Sequence, residues 1–157
     1  MHIQKAHLSF RDPLQPLQAV THIIIHHTAE DGWDVYKTHE FHQNIRGWGG
    51  IGYNYFIEEN GTIYEGRGLH IGAHVKGYNT KSIGICISGN FDVYDPTPLQ
   101  MTSLHWLCKQ FMYHFSLDCE QVLGHREIDG VTKTCPGTRF SMEKLRYILS
   151  NNNKGAV

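Results

Sequence analysis

Three side chains that could bind a metal ion lie at or beyond the ends of short apolar runs. His26 follows the run that begins at Ile23, His125 follows Val122-Leu123-Gly124, and Cys135 lies ten positions after His125. Imidazole nitrogen and thiolate sulfur are ligands that zinc prefers, and three protein ligands leave the fourth tetrahedral position for a catalytic water. These residue types therefore allow a catalytic zinc site.

Spacing alone does not establish such a site, because no compact zinc signature such as H-E-x-x-H is present. A single histidine at a strand end is more often a hydrogen-bonded or surface residue, and a single cysteine is more often a small buried side chain. His27 is an alternative ligand to His26. Side chains alternate between the two faces of a strand, so only one of this pair can face the site.

Strand-like and helix-like segments alternate along the chain and would position these residues. β-branched and apolar runs predict strands, and the continuous isoleucines of segment 21–28 are typical of a strand buried on both faces. Apolar residues at intervals of three and four predict helices. The predicted strands are 21–28, 52–57, 62–65, 82–89 and 121–124, and the predicted helices are 33–45, 97–115 and 141–150.

Turn and capping residues mark the limits of these segments. Asn60-Gly61 between two strand-like runs predicts a β-hairpin. Thr97-Pro98 opens the longest helix, Ser141 caps the last one, and either Asp31 or Asp34 caps the first.

The order of these segments predicts a single α/β domain over residues 1–157, with a central mixed β-sheet flanked by helices. The candidate zinc site would lie at the sheet edge, where strand ends converge. The first 19 residues contain no motif, and residues 151–157 are typical of a frayed tail.

The composition excludes several classes of partner. The formal net charge of −1 and the absence of a dense basic run give no basis for nucleic-acid binding. No segment is apolar for long enough to cross a membrane. Four irregularly spaced cysteines do not form a disulfide framework, while 12 dispersed histidines raise the chance of a metal site. We expect a monomer.

Seven short motifs occur in order between residues 21 and 148, which is nearly the whole predicted domain. They are His26-His27-Thr28-Ala29, Gly52-Tyr53-Asn54-Tyr55-Phe56, Asn60-Gly61-Thr62-Ile63-Tyr64-Glu65-Gly66-Arg67, Gly72-Ala73-His74-Val75-Lys76-Gly77-Tyr78-Asn79, Ser82-Ile83-Gly84-Ile85, Gly124-His125-Arg126-Glu127 and Thr134-Cys135-Pro136-Gly137. As an ordered set they resemble the type 2 N-acetylmuramoyl-L-alanine amidase and peptidoglycan recognition protein family, which includes phage lysozymes that are amidases.

The resemblance implies a zinc enzyme that hydrolyses the amide bond between N-acetylmuramic acid and L-alanine in bacterial peptidoglycan. The first histidine of the strand-end pair matches a family ligand, which selects His26 over His27. His125 and Cys135 match the other two ligands. Zn²⁺ is the implied cofactor, and a muramyl peptide of the cell wall is the implied partner.

The resemblance also implies two catalytic residues. Tyr53 matches a tyrosine beside the metal water, and Lys133 matches a lysine placed to stabilise the developing oxyanion. From the residues alone, the favoured interpretation of Tyr53 is a strand aromatic packed on the sheet, and that of Lys133 is a solvated loop residue.

Four further residues are predicted to line the substrate groove. His74 and Asn79 match the family's groove loop, and His42 and Arg67 are candidates for the same wall. Without the resemblance, the Gly-Tyr-Asn at 77–79 is typical of a turn.

Departures from the family pattern indicate which branch of the family this sequence resembles. Cys86 stands where one amidase branch has a catalytic glutamate, and the spacing from His125 to Cys135 is longer than in many phage members. Residues 29–41 lack the cysteine pair of animal recognition proteins, which favours a bacterial or phage origin.

A phage or prophage lysin is the biological role that we expect. The N-terminus has no apolar region or cleavage site of a secretory signal. The protein is then made in the cytoplasm and reaches the cell wall after release, or is secreted if a signal has been removed.

Three alternative functions remain open from the sequence. The first is a recognition module that binds peptidoglycan without cutting it, although non-catalytic members commonly lose the third ligand and Cys135 is present here. The second is a regulator that binds an RNA polymerase, as some phage amidases do. The third is a protein without zinc catalysis, in which a bound zinc ion only stabilises the fold.

Overall fold

A six-stranded mixed sheet forms the centre of the computed structural model, which describes residues 1–151. The strands are β1 Ile3–Lys5, β2 His22–His27, β3 Tyr55–Ile57, β4 Ile63–Glu65, β5 Ser82–Ile87 and β6 Val122–Gly124. Their order across the sheet is β1-β4-β3-β5-β2-β6, and only the β3–β4 hairpin pair is antiparallel. The predicted mixed α/β fold is confirmed.

Three helices cover the two faces of the sheet: α1 Val35–Asn44, α2 Pro98–His114 and α3 Met142–Asn151. Alternate residues of the strands, such as Ile23, Ile25 and Ile85, pack with α2 and α3 in the larger core. On the other face Phe56 and Cys86 pack with α1 in a smaller core. The sheet is therefore buried on both sides, as the continuous isoleucines predict.

The same alternation separates the paired histidines at the end of β2. His26 lies on the face that Ile24 shares, away from α2 and α3. The His27 ring lies beside Phe91 of the larger core, and its Nδ1 accepts a hydrogen bond from the Phe91 amide at 3.1 Å. His27 is thus used in packing, which leaves His26 to face the loops on the opposite side.

The helix limits follow from the capping residues. Asp34 accepts a hydrogen bond from the Lys37 amide at 2.7 Å and caps α1, which decides between the two predicted aspartates. Thr97 and Gln100 form a reciprocal capping box at α2. α3 continues to Asn151, one residue into the predicted tail, and residues 152–157 of that tail lie outside the described part of the chain.

The N-terminal segment, for which the sequence offers no motif, completes the sheet and braces α1. β1 pairs in parallel with β4 at the sheet edge. The Ser9 carbonyl accepts hydrogen bonds from His39 Nε2 and Gln43 Nε2, each at 3.0 Å. Pro16 forms an isolated bridge with His70.

All four cysteines are free, in agreement with the prediction that they form no disulfide framework. Among the described helices, none has both the length and the apolar character that crossing a bilayer requires.

Candidate metal centre and groove

The three predicted zinc ligands converge at one end of the sheet. Ligand atoms of His26, His125 and Cys135 all lie within 4.8 Å of one another. Cys135 Sγ is 3.8 Å from His26 Nδ1. Tetrahedral zinc with typical Zn–N and Zn–S bond lengths separates a nitrogen and a sulfur ligand by about 3.6 Å. The spacing and the two-nitrogen, one-sulfur donor set therefore fit zinc, with one coordination position left open.

Adjacent parallel strands bring the two histidines together. β2 and β6 pair with Ile25 opposite Gly124, so that the residues following each position lie side by side. The rings of His26 and His125 have their centroids 4.7 Å apart. Strand pairing thus sets the separation of two ligands that are distant in sequence.

The loop that carries Cys135 is fixed by Arg126. The Arg126 amide donates to the Cys135 carbonyl at 2.7 Å, and the guanidinium donates to the carbonyls of Thr134, Gly137 and Phe140. These contacts hold the third ligand in place although it lies in irregular structure.

Burial raises the pKa of the Cys135 thiol to about 12 in the metal-free protein. A hydrogen bond from the His27 amide to Cys135 Sγ at 3.4 Å and the nearby charges of Lys133 and Arg126 act in the opposite direction, since they favour the thiolate. A cation at the site would replace the thiol proton and remove the cost of burying a charged sulfur.

Burial also favours the neutral form of the imidazoles of His26 and His125. Burial lowers the pKa of His26 well below its usual value, and the neighbouring histidines His74 and His125 lower it further. The pKa of His125 is lowered by burial and by the positive charge of Lys133. A neutral imidazole has a free lone pair, which is the form that binds a metal.

A groove of about 650 Å³ opens beside the candidate metal centre. It is lined by the three candidate ligands and by four other predicted residues, Tyr53, Lys133, His42 and His74. Arg46, Trp48 and Asp92 also line it. The groove is large enough for part of a glycopeptide.

Tyr53 lies between the metal centre and α1. Its ring is 5.1 Å from that of His26 and 5.3 Å from that of His42. Burial raises the pKa of Tyr53 well above its usual value, with smaller contributions from Cys86 and Cys135. The protonated form of the hydroxyl, which can donate a hydrogen bond, is therefore favoured.

His42 has a fixed tautomer in the groove wall. The Gly52 amide donates to His42 Nδ1 at 2.9 Å, so the remaining ring proton lies on Nε2. Burial lowers the pKa of His42 to about 4, and the charges of Arg46 and Arg67 add to this effect. His42 is thus a neutral side chain with one N–H donor to offer.

Arg67 and Asn79, both predicted to line the groove, have other partners in the structure. Arg67 donates to the carbonyls of Ile51 and Ile71 at 2.7 and 3.1 Å. Asn79 Oδ1 accepts from the amides of His74 and Val75 at 2.8 and 2.9 Å. Neither residue is among those that line the groove, and both tie together the loops that form it.

Asp92 supports the loop that holds Lys133 and Cys135. It accepts hydrogen bonds from Thr134 Oγ1 at 3.0 Å and from the Thr138 amide at 2.8 Å. No sequence pattern distinguishes it from other surface aspartates.

We expect Asp92→Ala to loosen this loop and to lower both zinc affinity and activity by roughly 10-fold or more, as loss of a supporting contact typically does. The matched control is Asp95→Ala, since Asp95 is exposed and pairs with Arg139. Zinc affinity measured by chelator competition checks the result, and equal affinities in the two variants would contradict it.

Comparison with known proteins finds related sequences and structures. The chain is 34% identical to peptidoglycan-recognition protein SC2 of Drosophila melanogaster over 131 residues, which cover 77% of this chain and 70% of that protein. The structure is similar to the endolysin N-acetylmuramoyl-L-alanine amidase LysCS from Clostridium intestinale URNW, with a TM-score of 0.87 and 33% identity over 94% of this chain and 95% of that one.

A Drosophila peptidoglycan-recognition protein, a PGRP-LB variant in complex with tracheal cytotoxin, is also similar. Its TM-score is 0.78, at 27% identity, with coverage of 90% of this chain and 91% of that one. The sequence profile described as N-acetylmuramoyl-L-alanine amidase matches residues 16–138. Since this match spans most of the chain and includes all three candidate ligands, the chain belongs to the N-acetylmuramoyl-L-alanine amidase family.

Proposed function

We propose that the protein is a zinc-dependent N-acetylmuramoyl-L-alanine amidase that acts as an endolysin on the bacterial cell wall. The cluster of His26, His125 and Cys135 beside an open groove carries this proposal. When bound, zinc would supply a Lewis acid that polarises the scissile carbonyl and activates a water for hydrolysis.

The groove residues provide the remaining functions of a hydrolase. The groove binds the muramyl peptide so that the amide between the lactyl group and L-alanine lies beside the metal centre. Lys133 contributes a cation that stabilises the negative charge developing on the carbonyl oxygen. Tyr53 donates its hydroxyl hydrogen bond near the reacting atoms, and His42 offers its Nε2–H to a substrate acceptor.

The names of similar structures support both the proposed amide bond that is cut and the proposed peptidoglycan partner. The LysCS structure is named as an endolysin amidase, and the PGRP-LB structure holds tracheal cytotoxin in the same fold. For this chain we propose hydrolysis rather than binding alone, because three candidate ligands lie beside the groove. We further propose that it works as a monomer.

The deciding experiment is digestion of purified peptidoglycan with lysine and with diaminopimelate in the stem peptide, with and without a chelator. We expect free stem peptides that begin with L-alanine, identified by mass, whose release stops with chelator and returns with zinc. Wall binding without release, by protein that contains stoichiometric zinc, would instead establish a recognition module.

A further inference from the structure

A chain of hydrogen bonds runs from the candidate ligand His26 through His74 and Ser82 to a backbone carbonyl. His26 Nε2 lies 2.9 Å from His74 Nδ1. His74 Nε2 lies 3.3 Å from Ser82 Oγ, which lies 2.6 Å from the carbonyl oxygen of Tyr78. Each contact holds one proton, so the direction of donation at one end determines the direction along the whole chain.

The Tyr78 carbonyl sets this direction, because a carbonyl oxygen can only accept. The single hydroxyl proton of Ser82 is therefore donated to it, and Ser82 Oγ accepts from His74 Nε2. With its proton on Nε2, His74 presents an unprotonated Nδ1. That atom accepts the proton on His26 Nε2.

We propose that His74 and Ser82 hold His26 in the tautomer that binds zinc. With the ring proton on Nε2, the free lone pair of His26 is on Nδ1, the atom that lies 3.8 Å from Cys135 Sγ. Outer hydrogen bonds commonly fix the tautomer and ring orientation of a metal-binding histidine. His74 is then a positioning residue. The inference rests on the proposed zinc site, but the tautomer is a property of the metal-free protein.

Strand β5 and the loop that contains Asn79 hold the His74 ring in place. Gly84 of β5 lies directly under it, and a Cβ atom at this position would lie 2.6 Å from His74 Cγ. Asn79 Oδ1 fixes the backbone of His74. The His74 ring stands nearly perpendicular to that of His26, at 87°, with centroids 5.0 Å apart. The ring is therefore positioned by the fold itself, before any substrate binds.

Two substitutions of His74 separate the proposed role from simple packing. His74→Phe keeps an aromatic ring but removes the acceptor, whereas His74→Asn has an amide oxygen that can replace it. Two-bond ¹H–¹⁵N correlation spectra of the chelator-treated protein report which nitrogen of His26 carries the proton. We expect Nε2–H in the unsubstituted protein and in His74→Asn, and a mixture of tautomers in His74→Phe.

Zinc affinity provides the second measurement, by competition with a chelator. We expect roughly a 10–100-fold loss in His74→Phe, which is typical for an outer hydrogen-bond partner, and partial recovery in His74→Asn. His22→Phe is the control. His22 lies on β2, the strand that contains His26, and packs against Tyr78 without contacting a candidate ligand. It should leave zinc affinity and the His26 tautomer unchanged.

An unchanged His26 tautomer and an unchanged zinc affinity in His74→Phe would overturn the proposal. If the only change in His74→Phe is a higher KM, His74 is a substrate contact instead. If His74→Phe does not fold, His74→Leu decides, since it also removes the acceptor for His26 Nε2 and should shift both readouts in the same direction. No shift in either readout would again overturn the proposal. An unsubstituted protein that binds no zinc would contradict the proposed function, while the tautomer measurement would still test the role of His74.

Discussion

Cys135→Ser is expected to abolish zinc binding and peptidoglycan cleavage together. The thiolate is one of three candidate ligands within 4.8 Å of one another, and a serine hydroxyl is a far weaker zinc ligand at neutral pH. The loss of affinity should exceed the roughly 10-fold to 100-fold that follows loss of an outer partner. Zinc content after dialysis and release of stem peptides measure the two effects.

The matched control for this substitution is Cys119→Ser. Cys119 is also a free and partly buried cysteine, but it lies in the turn before β6 and does not line the groove. It should keep zinc and activity. A Cys135→Ser variant with full activity and stoichiometric zinc would remove Cys135 from the ligand set.

Lys133→Ala is expected to keep zinc but to lose most of its turnover. Lys133 lines the groove beside the candidate ligands and is not itself one of them. A contact to a developing oxyanion is worth about 3 kcal/mol in a site closed by substrate, which corresponds to a fall of roughly 150-fold in kcat. KM should change little, because the contact strengthens only in the transition state.

Separate measurement of kcat, KM and zinc content tests this expectation. Lys144→Ala on α3 is the control, because Lys144 is an exposed lysine that does not line the groove. Unchanged turnover in Lys133→Ala would show that the lysine is only a solvated loop residue. A rise in KM at constant kcat would assign it to substrate binding.

Much of the fold could be predicted from the sequence, because the signals were local. The isoleucines before His26 predicted a strand buried on both faces, and Asn60-Gly61 predicted the hairpin between β3 and β4. Thr97-Pro98 correctly marked the start of α2. The approach of His26 to His125 follows from strand order, which periodicity does not determine.

The functions of several loop residues could not be predicted, because they depend on partners distant in sequence. His74 contacts His26 across 48 positions, and it does so only because Gly84 has no side chain. Arg67 and Asn79 were predicted to line the groove from their motifs, whereas the structure shows their polar atoms bound to backbone groups of neighbouring loops. A motif alone does not distinguish a residue that binds substrate from one that holds a loop in place.

The pairing of β1 with β4 limits where the domain can be shortened. The similarity to the family begins at residue 16 and ends at 138, so a chain cut at these limits would lack both β1 and α3. Without β1, β4 would become an open sheet edge with unpaired backbone groups, which invites association with other chains. Without α3, the sheet face packed against Leu145 and Leu149 would be open to solvent. Such a fragment would retain all three candidate ligands yet be prone to aggregation.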